Sequence, residues 1–294
     1  MYAAAQAQNH WLAESGSTKS VWLCFAGPAE GTRFTTEGFN PSYLPHHTLP
    51  EALAQIAAPH RQALAGAASM VWYGAGCAGQ APRRAMEAAV AALLPGAGIT
   101  IEHDLLAAAH ALHGNAPGLV AILGTGSHAA CYDGQTLSAE AVNLGYVLGD
   151  EGSGADMGKR LLQGYFYRRL PAQELAYLDQ ALGLVRDEAI DRIYRQPWPN
   201  RWMASLAPVV AGRPALRACI AGPALAAFAQ THLEPLAQRS GIDKVGAVGS
   251  IAAHFAPELE AALQPLGLAL QRTLADPVEA LAAFHKRQLA KGRA

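Results

Sequence analysis

The chain has 294 residues, of which 51% are hydrophobic and only 15% charged, so much of it must be buried in a sizeable core. This length exceeds the usual size of a single domain and favours two domains. Lys and Arg together number 22 against 23 Asp and Glu, and no basic run is present. The balance argues against a nucleic-acid partner and against an acidic membrane surface, since both require clustered positive charge.

The cysteines indicate the redox setting. Cys24, Cys77, Cys131 and Cys219 lie far apart and form no Cys-x-x-Cys pair. We expect them to be reduced and buried, which favours a cytoplasmic protein. The first residues show no basic and apolar signal pattern, and no run of about eighteen apolar residues follows. The sequence therefore predicts a soluble protein that is not exported and has no membrane partner.

Short strands alternate with helices in the first half of the chain. Apolar runs between turn residues predict strands at 11–14, 20–26, 32–36, 70–73, 98–102 and 118–123. Apolar residues at helical spacing predict helices at 51–65, 82–94 and 104–112. This alternation favours a layered sheet that is covered by helices.

The strand–turn–strand pattern of the N-terminus recurs at 119–123 and 128–132. Such a partial internal repeat predicts a duplicated unit. From about residue 152 to 263 the chain is predicted to be mostly helical, with one short strand near 244–247. Because no linker-like segment separates these regions, we expect the two domains to be joined by packed elements.

Two turns rich in Gly, Ser and Thr follow apolar runs. The first is Glu14-Ser-Gly-Ser-Thr-Lys-Ser20, and the second closes the segment Ala121-Ile-Leu-Gly-Thr-Gly-Ser127. Open backbone N–H groups at glycines and short hydroxyls suit phosphate oxygens. Either turn alone is typical of an ordinary hairpin. Together they indicate two loops that hold one polyphosphate.

Several polar residues are candidates for contact with an acceptor. Asp104 opens a predicted helix, where the dipole favours an ionised carboxylate that can accept a proton, but Asp is also a preferred N-cap. Asp150 and Glu151 could accept hydrogen bonds from hydroxyls or could cap the helix expected near Gly152. Asn40 offers a donor and an acceptor, although before a proline it is also a simple turn residue.

These motifs, in this order, resemble the N-acetylglucosamine kinases of the BadF/BadG/BcrA/BcrD type, in the sugar kinase/actin/heat-shock-protein ATPase superfamily. The resemblance covers roughly residues 12–255. Its most specific match is residues 145–154, which are similar to the subgroup's Gly-Tyr-x-x-Gly-Asp-Glu-Gly-Ser-Gly signature. Residues 35–40 and 102–104 match positions that the subgroup uses at the sugar, and Val245-Gly-Ala-Val-Gly-Ser250 resembles its adenosine loop.

The resemblance implies an α/β protein with the two-domain actin-like ATPase (ribonuclease H-like) fold and an active-site cleft between the lobes. The N-terminal lobe would span residues 1–113, with a C-terminal helix at 275–294 packing back on it. The C-terminal lobe would span residues 114–274. The resemblance also allows for a homodimer.

The resemblance further implies a kinase that phosphorylates an amino sugar, N-acetylglucosamine first among them, at its 6-hydroxyl, with ATP and Mg²⁺. Asp104 would be the base, and Glu14 would support Mg²⁺ through water. The sugar would be bound by Gly38, Asn40, Asp104, Gly145 and Asp150. ATP would be bound by Ser15, Gly16, Ser17, Thr18, Lys19, Gly124, Thr125, Gly126, Ser127, Gly249 and Ser250.

The chain departs from the family pattern at Glu14, His128 and Leu144. Glu14 stands where the first loop normally begins with Asp, and the extra methylene would move the carboxylate by more than about 1 Å. Phosphoryl transfer depends on position at that scale. His128 replaces an Asn common in related kinases, and Leu144 stands where some carry an aromatic residue against the sugar.

Two other classes of protein share parts of this pattern. Activator ATPases of radical dehydratases have the same fold but use cysteines to bridge an iron–sulfur cluster, and the scattered cysteines here argue against them. A non-catalytic sugar or nucleotide sensor is the second alternative, because Glu14 could weaken metal binding. An ADP-release assay over a panel of amino sugars separates all three classes.

Overall fold

A computed structural model describes residues 8–16 and 18–292 of the chain. Its contacts divide the protein into two compact units. The first unit contains the residues up to Gly114 together with those from Pro277 onward, and the second is Asn115–Asp276. Each unit has a five-stranded sheet of its own.

The strands lie in two groups along the chain. The first unit contains β1 (Asn9–Ser15), β2 (Lys19–Ala26), β3 (Arg33–Glu37), β4 (Ala67–Gly74) and β5 (Gly98–His103). The second unit contains β6 (Gly118–Leu123), β7 (Ser127–Tyr132), β8 (Leu137–Glu140), β9 (Lys244–Val248) and β10 (Ala269–Leu274).

Most of the helices lie in the second unit. The first half of the chain forms α1 (Leu49–Ala57), α2 (Arg61–Leu64), α3 (Gln80–Leu93) and α4 (Asp104–His113). The second unit forms α5 (Gly145–Leu148), α6 (Gly154–Phe166), α7 (Ala172–Ala181), α8 (Arg186–Tyr194), α9 (Pro199–Ala204), α10 (Ala207–Ala211), α11 (Pro214–Leu216), α12 (Gly222–Phe228), α13 (Glu234–Ser240), α14 (Ser250–His254) and α15 (Ala256–Leu263). The last helix is α16 (Val278–Ala290), which belongs to the first unit.

Shorter helical turns complete the description. Single 3₁₀ turns occur at Pro41–Tyr43, His46–Thr48, Ala58–His60 and Gln264–Leu266. Two π-helical segments, Arg217–Ala221 and Ala229–Leu233, flank α12. Within the described part of the chain, none of the helices has the length and apolar composition needed to span a bilayer.

The two sheets have the same topology. The strand order is β3-β2-β1-β4-β5 in the first unit and β8-β7-β6-β9-β10 in the second. In each, the first three strands pair antiparallel and the last two join in parallel. The prediction of a duplicated α/β unit is therefore confirmed at the level of topology.

The strand register aligns the carboxyl ends of the parallel strands in each sheet. In the first sheet Ser15 lies opposite Gly74, which lies opposite His103. In the second sheet Val248 lies opposite both Ile122 and Leu274. Ligands of open α/β sheets bind outside this edge, so the loops that leave these ends are where a site is expected.

Apolar side chains fill both faces of the first sheet. On one face Trp11, Trp22 and Trp72 pack with residues of α1 and α3, and the rings of Trp22 and Trp72 meet edge to face at 5.1 Å. On the other face α4 and α16 cover the strands. Burial of each large side chain contributes about 1.5–3 kcal/mol, so these contacts stabilise the sheet that carries β1.

The structure departs from the predicted elements at three places. The helix predicted at 51–65 is wrong as one element, because α1 ends at Ala57 and a 3₁₀ turn separates it from α2. Pro59 lies in that turn, and proline lacks the N–H that a continuing helix needs. The sequence prediction also missed β8 and β10, which are edge strands with largely exposed residues.

The cysteine prediction is partly wrong. Cys24, Cys77 and Cys131 are buried, but Cys219 is exposed, and all four are free thiols. Cys219 lies in the first π-helical segment, next to the buried Ile220. Its side chain faces outward because the helix turns its apolar neighbours toward the core.

Two partly buried histidines fasten the C-terminal helix to the rest of the first unit. The Tyr73 hydroxyl lies 2.9 Å from His110 Nδ1 and 3.0 Å from His285 Nε2, and the Phe284 ring stacks on His110 at 4.2 Å. Burial lowers the pKa of both imidazoles from 6.5 to about 4, and the neighbouring His285 lowers that of His110 further. Both rings are therefore neutral at pH 7.

We expect this cluster to make the protein less stable in mild acid. The folded pKa lies below the unfolded one, so stability is complete above about pH 6.5 and is lost as the pH falls toward 4. From pH 7 to 5 each histidine should remove about 2 kcal/mol from the free energy of unfolding. Urea denaturation at both pH values measures this, and His285→Gln should reduce the loss by about half.

The matched control is His46→Gln, since His46 is exposed in a 3₁₀ turn of the same unit. This variant should keep the pH dependence of the parent protein. An equal pH dependence in the parent and in His285→Gln would contradict the assignment of acid sensitivity to the cluster of Tyr73, His110 and His285.

Candidate active site

The turn between β1 and β2 is the first predicted phosphate loop. The Gly16 N–H donates to the Lys19 carbonyl at 3.0 Å, and the Gly38 N–H donates to the Thr18 carbonyl at 3.1 Å. The residue after β3 is therefore hydrogen-bonded to the turn. The side chains of Thr18 and Lys19 in this turn are exposed. Ser17, also predicted to bind ATP, lies outside the described residues.

Ser15 connects this turn to the segment after β3. Its side chain is fully buried, and its hydroxyl accepts from the Phe39 N–H at 3.0 Å and donates to the Phe39 carbonyl at 2.9 Å. The hydroxyl of Ser20 lies 2.6 Å away on the paired strand. The Ser15 hydroxyl thus holds the loop in place, and its contact with a nucleotide stays a prediction.

Asn40 begins a turn and also keeps a donor for a ligand. Its Oδ1 accepts the Ser42 N–H at 2.9 Å, whereas its Nδ2 has no hydrogen-bond partner among the described residues. Gly76 packs against it with φ +78, and a Cβ there would lie 2.1 Å from Asn40 Oδ1. Sequence reasoning missed Gly76 as a site residue, although the glycines after β4 marked a turn.

Asp104 is the first residue of α4 and directly follows the carboxyl end of β5. Its Oδ1 accepts the Leu105 N–H at 2.9 Å and lies 3.2 Å from His103 Nε2. Its Oδ2 has no hydrogen-bond partner in the described part of the chain. His103, not Asp104, occupies the N-cap position, so the interpretation of Asp104 as a cap is wrong. One fixed and one open oxygen suit a carboxylate that accepts a proton.

Glu14 lies near the carboxyl end of β1, at the same sheet edge as Asp104. It is half-buried and pairs with Val21 on β2 and Tyr73 on β4. Carboxylate oxygens bind Mg²⁺ or its water ligands, so the donor chemistry at this edge fits that ion. A metal role for Glu14 remains a prediction.

The turn between β6 and β7 is the second predicted phosphate loop. The Gly124 N–H donates to the Gly126 carbonyl at 3.0 Å, while the carbonyls of Gly124 and Thr125 accept from Gly154 at 2.8 Å and Ala155 at 3.1 Å. The loop is therefore docked on the first turn of α6. At both loops the N–H of the first glycine is used within the turn, so open donors must come from the residues that follow.

Asp150 lies against this second loop. A Cβ on Gly126 would be 3.0 Å from Asp150 Oδ2, and Asp150 Oδ1 lies 3.5 Å from the Ser127 nitrogen. Burial raises the pKa of Asp150, and the approach of the Ser127 N–H opposes that rise. The Ser127 hydroxyl is itself buried without a partner among the described residues. The second unit thus brings a predicted sugar ligand and a predicted phosphate loop together.

Asn143 joins Gly145 to the same loop. Its Nδ2 donates to the Ser127 carbonyl at 2.9 Å, and its Oδ1 accepts the Gly145 N–H at 2.9 Å. Gly145 has φ +68, a conformation that glycine adopts readily. Asn143 therefore positions Gly145, whose contact with the sugar is a prediction. The sequence did not indicate this linking role of Asn143.

Gly249 brings the predicted adenosine loop to the same place. It follows β9 with φ +113, and a Cβ there would lie only 2.2 Å from the Leu123 carbonyl oxygen. Its N–H donates to the Leu274 carbonyl at 2.8 Å, and Ser250 begins α14. Only glycine permits this approach between the ends of β6 and β9.

Glu151 does not cap a helix, contrary to one of the two predictions for it. The helix α6 begins at Gly154, and the Ser153 hydroxyl caps it by accepting the Asp156 N–H at 3.1 Å. Glu151 Oε2 instead lies 2.9 Å from Nε2 of His232. Sequence reasoning missed His232, because it is 81 residues away and no local pattern marks it.

The repeated five-stranded sheets, each with a Gly/Ser/Thr hairpin at the carboxyl edge, define an actin-like ATPase fold. The structure of a candidate N-acetylglucosamine kinase from Porphyromonas gingivalis is 30% identical to this chain, with a TM-score of 0.87 over 95% of this chain and 99% of that one. The chain belongs to this family of sugar kinases, as the resemblance implies, and the protein is an enzyme that transfers phosphoryl groups.

More distant structures share the fold. A candidate N-acetylglucosamine kinase from Chromobacterium violaceum is 19% identical, with a TM-score of 0.67 over 94% of this chain and 99% of its own. A ROK-family glucokinase from Streptomyces griseus, in complex with glucose and AMPPNP, is 14% identical, with a TM-score of 0.60 over 95% and 99%. No protein-family model and no curated protein matched the chain.

Proposed function

We propose that this sugar kinase transfers the γ-phosphoryl group of ATP to the 6-hydroxyl of N-acetylglucosamine. The observation that carries the proposal is Asp104, whose Oδ1 is fixed by Leu105 and His103 while Oδ2 is open at the edge of the sheet. The family relative from P. gingivalis carries the same substrate in its name.

Asp104 supplies the proton-accepting step. Phosphoryl transfer needs little covalent chemistry from the protein, so catalysis rests on positioning and on charge neutralisation. Oδ2 of Asp104 would accept the proton of the sugar hydroxyl as the hydroxyl oxygen bonds to the γ-phosphorus of ATP. The bond from that phosphorus to the bridging oxygen breaks, and ADP leaves. The Leu105 N–H holds the other oxygen, which fixes the carboxylate plane during that transfer.

The nucleotide residues would act through backbone and hydroxyl donors. Thr18 and Lys19 in the first unit, and the turn of residues 124–127 in the second, would each bind phosphate oxygens. Gly249 and Ser250 would lie at the adenosine. The glucokinase of the same fold binds AMPPNP, which supports ATP as the donor.

Mg²⁺ would be supported by Glu14 through water. When bound, such an ion neutralises negative charge on the phosphates. The position of Glu14 beside the hairpin turn supports this role, because Glu14 and the predicted phosphate-binding residues of the turn lie at the same end of β1.

The sugar residues favour a neutral acetamide over a charged group. Asn40 keeps its amide N–H donors, Gly145 is held by Asn143, and Asp150 is partly buried. A pocket that hydrogen-bonds an amide rejects analogues without one, because its own polar groups are then left unpaired. Glucosamine is the nearest rival, since its ammonium could pair with Asp150.

We expect N-acetylglucosamine to exceed glucose in kcat/KM by at least about tenfold, equivalent to roughly 1.4 kcal/mol of transition-state binding. A coupled ADP-release assay over N-acetylglucosamine, glucosamine, N-acetylmuramic acid and glucose measures the ranking. Glucose or glucosamine ahead of the acetylated sugar would contradict the acetamide assignment. No turnover with any hexosamine would contradict the proposed function.

The activator-ATPase alternative has less support. Those proteins present cysteines to an iron–sulfur cluster. Here burial raises the pKa of the Cys24 thiol and, together with the charge of Asp104, raises that of Cys77 to about 12. Such thiols are inert, and Cys219 is the one cysteine with an exposed side chain.

A further inference from the structure

The segment of residues 149–153 holds Asp150 in an unusual backbone conformation. Asp150 has φ +57, and Gly152 follows with φ +73. A left-handed residue other than glycine costs on the order of 1 kcal/mol and persists only where its surroundings fix it. A Cβ on Gly152 would lie 2.8 Å from the Phe228 Cβ, so the segment rests directly on α12. Contacts with neighbouring residues must therefore stabilise this backbone conformation.

Hydrogen bonds hold its C-terminal side. The Ser153 N–H donates to the Asp150 carbonyl at 3.1 Å, and the Gly152 N–H donates to the buried carboxylate of Asp156 at 3.2 Å. Arg160 donates to the same Asp156 oxygen at 2.8 Å. These contacts fix the backbone where α6 begins, but they do not reach the side chain beside Asp150.

His232 contacts the Glu151 side chain, which the bonds above do not reach. Its Nε2 lies 2.9 Å from Glu151 Oε2, and its side chain is only 9% exposed. It lies in the π-helical segment Ala229–Leu233, where the extra residue in the turn changes which side chains face inward. Phe228, one turn earlier, packs both against Gly152 and, at 5.3 Å between rings, against His232.

The charge state of Glu151 sets the direction of this hydrogen bond. Partial burial opposes ionisation, but the hydrogen bond and charge of His232 lower the pKa of Glu151 overall. An ionised carboxylate can only accept, so His232 Nε2 carries the hydrogen and donates. A charged acceptor makes this a strong contact.

We propose that His232 is a positioning residue, which bonds Glu151 and thereby fixes the backbone that sets the Asp150 carboxylate against the second phosphate loop. The proposal rests on the proposed function, since it assigns Asp150 to the sugar. His232 itself touches no substrate.

The test compares His232→Leu with His232→Gln. Leu removes the donor, so the KM for N-acetylglucosamine should rise about tenfold or more while kcat changes by less than about threefold. Gln keeps an N–H donor for Glu151 and should restore most of the KM. Thermal melting of each variant checks that the fold is retained.

Glu151→Ala removes the other partner of this hydrogen bond. Because Glu151 is partly exposed, this variant provides the test if His232→Leu does not fold. The double variant should lose no more than either single variant, because one interaction is removed only once. Asp179→Asn is the matched control, since its exposed carboxylate bonds to Tyr165 and Arg168 instead. Its KM should stay within about twofold of the parent value.

Hydrogen–deuterium exchange gives a readout that does not depend on turnover. The amides of residues 149–153 should exchange faster in His232→Leu and return toward the parent rate in His232→Gln. Unchanged exchange, an unchanged sugar KM, or additive losses in the double variant would overturn the positioning role. A parent protein without sugar-dependent turnover, but with the expected exchange pattern, would refute only the proposed function.

Discussion

Asp104→Asn is expected to reduce phosphoryl transfer by about 10²–10⁴-fold while sugar binding is largely retained. The amide keeps the size of the side chain and can still meet the Leu105 N–H, but it cannot accept a proton at the open position. ADP release measures the turnover, and calorimetric titration with N-acetylglucosamine measures the binding.

Asp187→Asn is the matched control, because Asp187 is exposed on α8 and pairs only with Arg186 among the described residues. It should have the activity of the parent. If Asp104→Asn retained turnover within a few fold of the parent, Asp104 would be a helix-start residue with no part in proton transfer.

The second large effect concerns Glu14. Glu14→Gln should lower Mg²⁺-dependent turnover by about 10–100-fold, because the amide is a poorer partner for the waters of a metal ion. Glu14→Asp should be tolerated or improved, since it keeps the carboxylate and has the length that the family uses. Turnover across a magnesium titration measures both variants.

An exposed glutamate of the same unit, Glu51 in α1, gives the control Glu51→Gln, which should titrate like the parent. Equal turnover in the parent, Glu14→Gln and Glu14→Asp would remove Glu14 from the metal site. A parent protein that never hydrolyses or transfers from ATP would favour the sensor interpretation.

Local sequence patterns predicted the turns and element ends that carry the candidate site residues. The Gly16 and Gly124 turns stand between apolar runs, so strand periodicity and turn residues together predict both hairpins. Asp104 follows a strand and opens a helix, and the structure begins the helix at Asp104 as predicted and ends the strand one residue later than predicted. The strand–turn–strand pattern that recurs in the second half predicted a duplicated unit, and the two sheets share one strand topology.

Other features depend on contacts that no local pattern encodes. Ser15 looks like an open phosphate donor until the burial of its hydroxyl against Phe39 is known. The link from Glu151 to His232 joins residues far apart in sequence, through a π-helical turn that periodicity cannot predict. The edge strands β8 and β10 were missed because exposed strands lack a continuous apolar run.

The most direct test of the central claim is phosphorus NMR of the reaction between ATP, Mg²⁺ and N-acetylglucosamine. The account predicts a new phosphomonoester signal that couples to the two protons on C6 of the sugar, formed in equal amount with ADP. Inorganic phosphate and ADP without a phosphomonoester would indicate an ATPase, and an unchanged ATP spectrum would indicate a sensor. Either result would contradict the assignment as an N-acetylglucosamine kinase.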